Sequence, residues 1–160
     1  MSFIRWRAQS KPLPPAAPFD APVIVVGAGP SGMRVAQELM QRDPACPVLV
    51  FGDERWQPYN RVRLTPLMVG DIRLPDVYFP PLQAADGSEI EIIQRRIVAI
   101  DREARTVTDV KGLTHRFGRL VLATGSRPHV PTIPGIEQAN VFTFRDLDDV
   151  EKLLARIAQS

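Results

Sequence analysis

The chain has 160 residues, 44% of them hydrophobic, and a net charge of +2, which is enough for one globular domain with a buried core and too little for two. Its small basic excess holds no compact basic run beyond Gln94-Arg95-Arg96, so charge does not point to nucleic acid, and no apolar stretch approaches the roughly 20 residues of a bilayer span. A single cysteine and an opening, Met1 to Arg7, that lacks an uninterrupted apolar core argue against a disulfide framework and a secretory signal, so a cytoplasmic, reducing location is the expectation.

Residues 8 to 22 carry Pro12, Pro14, Pro15, Pro18 and Pro22 among alanines, a composition that favours extended chain over helix or sheet. Residues 1–20 therefore read as a proline- and alanine-rich extension, either lying on the surface or serving as a docking arm, and residues 21–160 as the domain. Val23-Ile24-Val25-Val26 then reads as a short strand. It runs directly into Gly27-Ala28-Gly29-Pro30-Ser31-Gly32, a Gly-x-Gly-x-x-Gly turn. In a dinucleotide site the first glycine permits the tight turn, the second lets backbone approach a pyrophosphate, and the third packs helix on strand. Such a turn is informative only between a strand and a helix, with an acid about 20 residues on.

Both conditions are met. Met33, Val35, Ala36, Leu39 and Met40 recur at helical spacing, and the pattern ends near Asp43-Pro44, where the proline disfavours helix in the residue before it. The next strand, Val48 to Phe51, leads into Gly52-Asp53-Glu54. A carboxylate at that strand end accepts hydrogen bonds from ribose hydroxyls. Asp53 and Glu54 also suit an ordinary solvated turn; the glycines upstream favour ribose binding, with Asp53 ahead of Glu54.

Residues 56–81 lack regular periodicity and carry five prolines, with a short helix expected over 66–69; irregular stretches of this length inside a domain are usually functional. Short strands are expected at 90–93, 97–100, 106–110 and 115–117, with turns at Glu103-Ala104-Arg105 and Lys111-Gly112. Leu120 to Ala123 reads as a buried strand ending in Thr124-Gly125-Ser126, and Asp148 to Ile157 as an amphipathic helix. The predicted architecture is α/β, a Rossmann variant of the FAD/NAD(P)-binding type. It has a central parallel sheet and a small antiparallel meander, read together as one mixed sheet.

These motifs, in order, resemble the N-terminal FAD-binding part of the two-dinucleotide-domain flavoprotein oxidoreductases, the pyridine nucleotide-disulfide oxidoreductase superfamily. Rubredoxin and ferredoxin reductases, and the FAD module of assimilatory nitrite reductase large subunits, are the nearest branches. The resemblance runs through Phe51 to Glu54, Pro58 to Thr65, Val98 to Asp101, the Ala-Thr-Gly of residues 123–125, Arg127-Pro128, Ile133-Pro134-Gly135 and Phe144 to Asp149. It implies FAD as cofactor. Gly27, Gly29, Pro30, Ser31 and Gly32 would form the pyrophosphate turn, with Ser31 and Gly32 offering amides. Asp53, with Glu54 beside it, would hold the ribose, and Ile97 would frame the adenine through its backbone. Ala123, Thr124 and Gly125 would close the site. Arg127 would lie near the phosphates or ribityl chain, and Arg61 beside the flavin.

Three departures qualify that picture. No Cys-x-x-x-x-Cys follows the glycine turn, and Cys46 stands alone, so dithiol chemistry is excluded. Pro66 stands where the rubredoxin-reductase type has a lysine. The sequence stops at Ser160, before a second glycine turn, so the FAD site is expected to be incomplete. The NAD(P)H site is expected in an absent domain or a second chain, and a redox protein is the expected acceptor. His115 and His129 lack metal-ligand spacing, so no metal site is assigned, nor is any catalytic residue, and one cysteine is too few to ligate an iron–sulfur cluster. The competing reading is a non-catalytic module that binds an adenine nucleotide or a partner.

Overall fold

The computed structural model describes residues 20–84, 87, 89–90 and 92–159. The proline-rich extension, apart from Asp20, lies outside the described residues. β1 (Val23–Val26) is central, and all four of its side chains are buried. It pairs in parallel with β2 (Val48–Gly52) on one side and β7 (Arg119–Leu122) on the other, while β3 (Ile92–Gln94) adds to the outer edge of β2. Val26 lies opposite both Phe51 and Leu122. The three strands therefore end level, and the loops that follow them share one rim.

Both faces of this sheet are covered, which is why β1 reads as an unbroken apolar run rather than an alternating one. Alternate side chains go to opposite faces. Val23 and Val25 pack with Met33 and Ala36 of α1 (Pro30–Arg42), together with Cys46 and Leu82. Ile24 and Val26 pack with Phe51, Val107 and Phe117 on the other face.

That second cover is a separate antiparallel sheet of β4 (Ile97–Asp101), β5 (Thr106–Asp109) and β6 (Thr114–Arg116). The expected mixed sheet is thus two sheets, one wholly parallel and one wholly antiparallel. The strand expected at 90–93 is β3 of the parallel sheet, in parallel register with β2. Short β-branched runs carry the same two-residue period whichever partner they find, so periodicity could not separate β3 from the meander.

The irregular stretch after β2 folds over the rim. A 3-10 turn at Arg61–Arg63 runs into α2 (Leu64–Met68), and a second 3-10 turn spans Leu74–Val77. Pro66 is accommodated in the first turn of α2, where an amide hydrogen is not needed for helix bonds. α3 (Leu147–Ile157) begins one residue before expectation and is capped by Asp146, whose side chain accepts from Asp149 N. A third apolar cluster of Tyr59, Leu64, Val77, Leu147 and Val150 joins these pieces.

Candidate functional site

The glycine turn sits on the rim of the parallel sheet. Gly27 has φ +116° and donates its amide to Phe51 O at 2.7 Å. A Cβ there would lie 2.1 Å from Ala123 O, and one on Gly32 would lie 1.7 Å from Gly27 O. Packing inside the chain therefore forbids side chains at both positions. Gly29 differs: a Cβ built there meets nothing within 4 Å. It faces open space as the N-cap of α1, with no side-chain cap and no acidic residue in the first turn. The amides of that first turn have no helical partner, and they sit at the positive end of the helix dipole.

This turn forms one bank of a groove along the rim. One reach, of about 250 Å³, runs from Gly27–Ser31 past Asp53 and Glu54 to Trp56, Tyr59, Arg61, Ala123 and Arg145. The other, of about 390 Å³, lies between Arg95–Ile97 and Thr124–Arg127. The two share Gly27, Gly52, Asp53, Thr124, Gly125 and Ser126, so Asp53 stands where they meet. Of the residues anticipated from sequence, Gly32 alone does not line the groove; it is buried against the Gly27 carbonyl.

The two neighbouring acids have different surroundings. Asp53 is about half exposed and takes Arg96 Nε and Nη2 at 3.4 Å each. Glu54 is committed inward, accepting from Tyr59 Oη at 2.7 Å and pairing with Arg61. Arg61 also donates to Arg145 O at 3.1 Å, so its charge is already balanced where it lines the groove. Tyr59 is buried, and its oxygen also accepts from Leu147 N at 3.1 Å. Burial, then the bond to Glu54, pushes its phenol pKa up.

Trp56 lines the groove edge but is held by its indole N–H, which donates to Asp148 Oδ1 at 2.8 Å, and Arg55 lies 4.4 Å from its ring centroid. Arg55 also reaches Asp148 and Glu151. Sequence reasoning missed Arg145, which it covered only within the segment Phe144 to Asp149. Its Nη2 donates to Ser126 Oγ at 2.9 Å on the groove rim, and no carboxylate partner is found for it among the described residues. No local spacing marks it; only the contacts of residues 145–147 with Arg61, Tyr59 and Ser126 bring it there.

Among the described residues no cluster of three or more histidines, cysteines and acids could hold a metal ion, and no helix is long and apolar enough to cross a membrane. Cys46 is buried in the core beneath α1, and burial raises its thiol pKa.

Residues 21–159 match the family described as pyridine nucleotide-disulphide oxidoreductase. Similar curated proteins include the nitrite reductase [NAD(P)H] large subunit of Klebsiella oxytoca, 36% identical over 85% of this chain and 14% of that protein. Another is the probable ferredoxin reductase CtmF of Castellaniella defragrans, 34% identical over 84% of this chain and 34% of that protein. Among solved structures, the ferredoxin reductase for the CYP199A2 system from Rhodopseudomonas palustris superposes with a TM-score of 0.77 at 31% identity, over 88% of this chain and 35% of that one. The chain thus spans about a third or less of the length of these relatives.

Proposed function

The chain belongs to the pyridine nucleotide-disulphide oxidoreductase family, and on that premise we propose that it is the FAD-binding portion of an NAD(P)H-dependent flavoprotein oxidoreductase. Electrons would pass from NAD(P)H through FAD to a protein carrier or redox centre, with NAD(P)H bound by a further domain or a partner chain. FAD, when bound, supplies the hydride and electron transfer. The residues described here bind and orient it.

One observation carries this reading. Gly27 and Gly32 are glycines because the chain packs against them, whereas Gly29 is a glycine beside open space at an uncapped helix N-terminus. A close-lying pyrophosphate accounts for that position, with the free amide of Ser31 as its donor. Asp53 then accepts from the ribose hydroxyls, and Ile97 faces the adenine. Arg127 and Arg145 add positive charge to the two reaches of the groove. Glu54 acts one step away, by holding Arg61 and Tyr59 rather than by binding ribose.

The test is titration of the purified protein with FAD and with ADP, followed by flavin fluorescence and thermal midpoint. Uptake of FAD with stabilisation by ADP is expected. A protein that neither ligand stabilises overturns the proposal. Equal stabilisation by the two favours the adenine-nucleotide module without redox function, because then only the adenosine half contributes.

A further inference from the structure

The most deeply buried charge in the described chain lies outside this site. Asp109, at the end of β5, is fully buried and its carboxylate accepts four hydrogen bonds. Oδ1 takes the amides of Lys111 at 2.9 Å and Leu113 at 3.0 Å, closing the β5–β6 turn. Oδ2 takes Arg95 Nη1 at 3.1 Å and His115 Nε2 at 3.2 Å. An ionised carboxylate only accepts, so Nε2 carries the donated proton.

The turn alone does not need a charge. An asparagine would offer the same Oδ1 to both amides, and an uncompensated carboxylate in the interior is strongly unfavourable. The second oxygen is what requires the anion, and its two partners lead to one wall of the groove and to its floor. Arg95 lines the wall formed by residues 95–97, between β3 and β4. The His115 ring packs edge-on against Phe51, with centroids 4.9 Å apart, and Phe51 immediately precedes Gly52 and Asp53.

We propose that Asp109 is a positioning residue for the nucleotide groove, holding Arg95 on the wall of residues 95–97 and, through His115, Phe51 at the strand end that leads to Asp53, and so fixing where that wall meets the floor. The proposal rests on the groove being a nucleotide site. Asp109 itself lines neither reach. Its action is relayed by the backbone as well: Val110 N donates to Arg96 O at 2.8 Å and Arg95 N to Ile93 O at 2.8 Å, which ties the residue after Asp109 to the wall. Burial alone would raise the pKa of this carboxyl, but the bonds from His115, Leu113, Arg95 and Lys111 outweigh it and hold the pKa down to about 2, in keeping with an anion kept for its partners.

Asp109→Asn separates the two duties, because it preserves the turn and presents an amide donor to Arg95 and His115. ADP affinity, thermal midpoint and amide hydrogen exchange are measured on this variant, on Arg95→Gln and on the double variant. Each single change is expected to weaken ADP about tenfold, and the double variant no further, since Asp109 acts through Arg95. In the unliganded protein Asp109→Asn should speed exchange at the Arg95 and Val110 amides and leave Val25 and Val50 protected.

A lower thermal midpoint with unchanged ADP affinity, or losses that add in the double variant, would reduce Asp109 to a structural role and overturn the proposal. Unchanged exchange at residues 95 and 110 would do the same. If wild-type protein takes no ADP, the functional reading fails, and the exchange arm alone decides whether Asp109 holds the wall. Should Asp109→Asn not fold, Arg95→Gln, which leaves the turn bonds intact, carries the test with His115→Gln beside it.

Discussion

Arg96 reaches the carboxylate of Asp53 with both Nε and Nη2 at 3.4 Å, joining the end of β2 to the residue before β4 across the floor of the groove. Both side chains are more than half exposed. An ion pair in that setting contributes about 0–1 kcal/mol, so its significance is where it holds Asp53 rather than what it adds to stability.

Arg96→Ala is accordingly expected to leave the urea midpoint almost unchanged, within about 1 kcal/mol of wild type. Asp53→Ala should also be near neutral for stability, yet weaken ADP about tenfold or more through loss of the ribose acceptor. A large stability loss in either variant would show that the pair is structural and that Asp53 is not held ready for a ligand.

Glycine substitutions divide the turn by role. Gly29 has φ −78° and free space around it, so alanine fits the backbone, and Gly29→Ala should alter stability by no more than about 1 kcal/mol, because the entropy lost by the unfolded chain is set against a poorer N-cap. The added methyl stands where a pyrophosphate would lie, and FAD and ADP binding should fall together. Gly32→Ala puts a methyl into the Gly27 carbonyl and should prevent folding. Circular dichroism and ligand titration on the two variants read both outcomes.

Tyr59 joins the segment after β2 to α3 through one buried oxygen. Tyr59→Phe leaves the Leu147 amide and a Glu54 oxygen without that partner, a loss of about 1–3 kcal/mol, measured by urea denaturation. The pH dependence has a definite sign. The folded phenol holds its proton above its unfolded pKa, so stability is intact below about pH 10 and falls as pH rises beyond it. Tyr59→Phe should flatten that alkaline limb.

Asp109 contributes to the acid limb. Its folded pKa of about 2 lies below the unfolded 3.8, so its contribution is present above about pH 4 and is lost as pH falls towards 2. The thermal midpoint of wild type should therefore drop across that window more steeply than that of Asp109→Asn.

What could be read from sequence was what lies close together in it. The strand–glycine–helix unit of residues 23–42 was legible because an apolar run, three fixed glycine positions and a helical period sit side by side, and Asp53 because the next strand must end on the same rim. What depends on distant partners was not. Strand β3 was legible as a strand but not its partner, since its parallel pairing with β2 leaves no trace in its own period. Glu54 resembled a second ribose acid until Tyr59 and Arg61 were seen to occupy it. Arg145 and the grouping of Arg95, Asp109 and His115 exist only after the sheets have docked.

The order of the parallel sheet also has a consequence in time. β1 and β7 are neighbours in space but, among the described residues, the first and last strands in chain order, so their pairing closes a very long loop and should come late in folding. The unit of β1, α1 and β2 forms from nearby residues, whereas Thr124, Gly125 and Arg127 reach the groove only when β7 docks. A nascent chain would therefore carry its glycine turn opposite no second wall until β7 has been made. Nucleotide capture would then follow the docking of β7 rather than guide the first pairing of β1 and β2, and lesions in β7 would slow acquisition of the ligand more than they slow collapse.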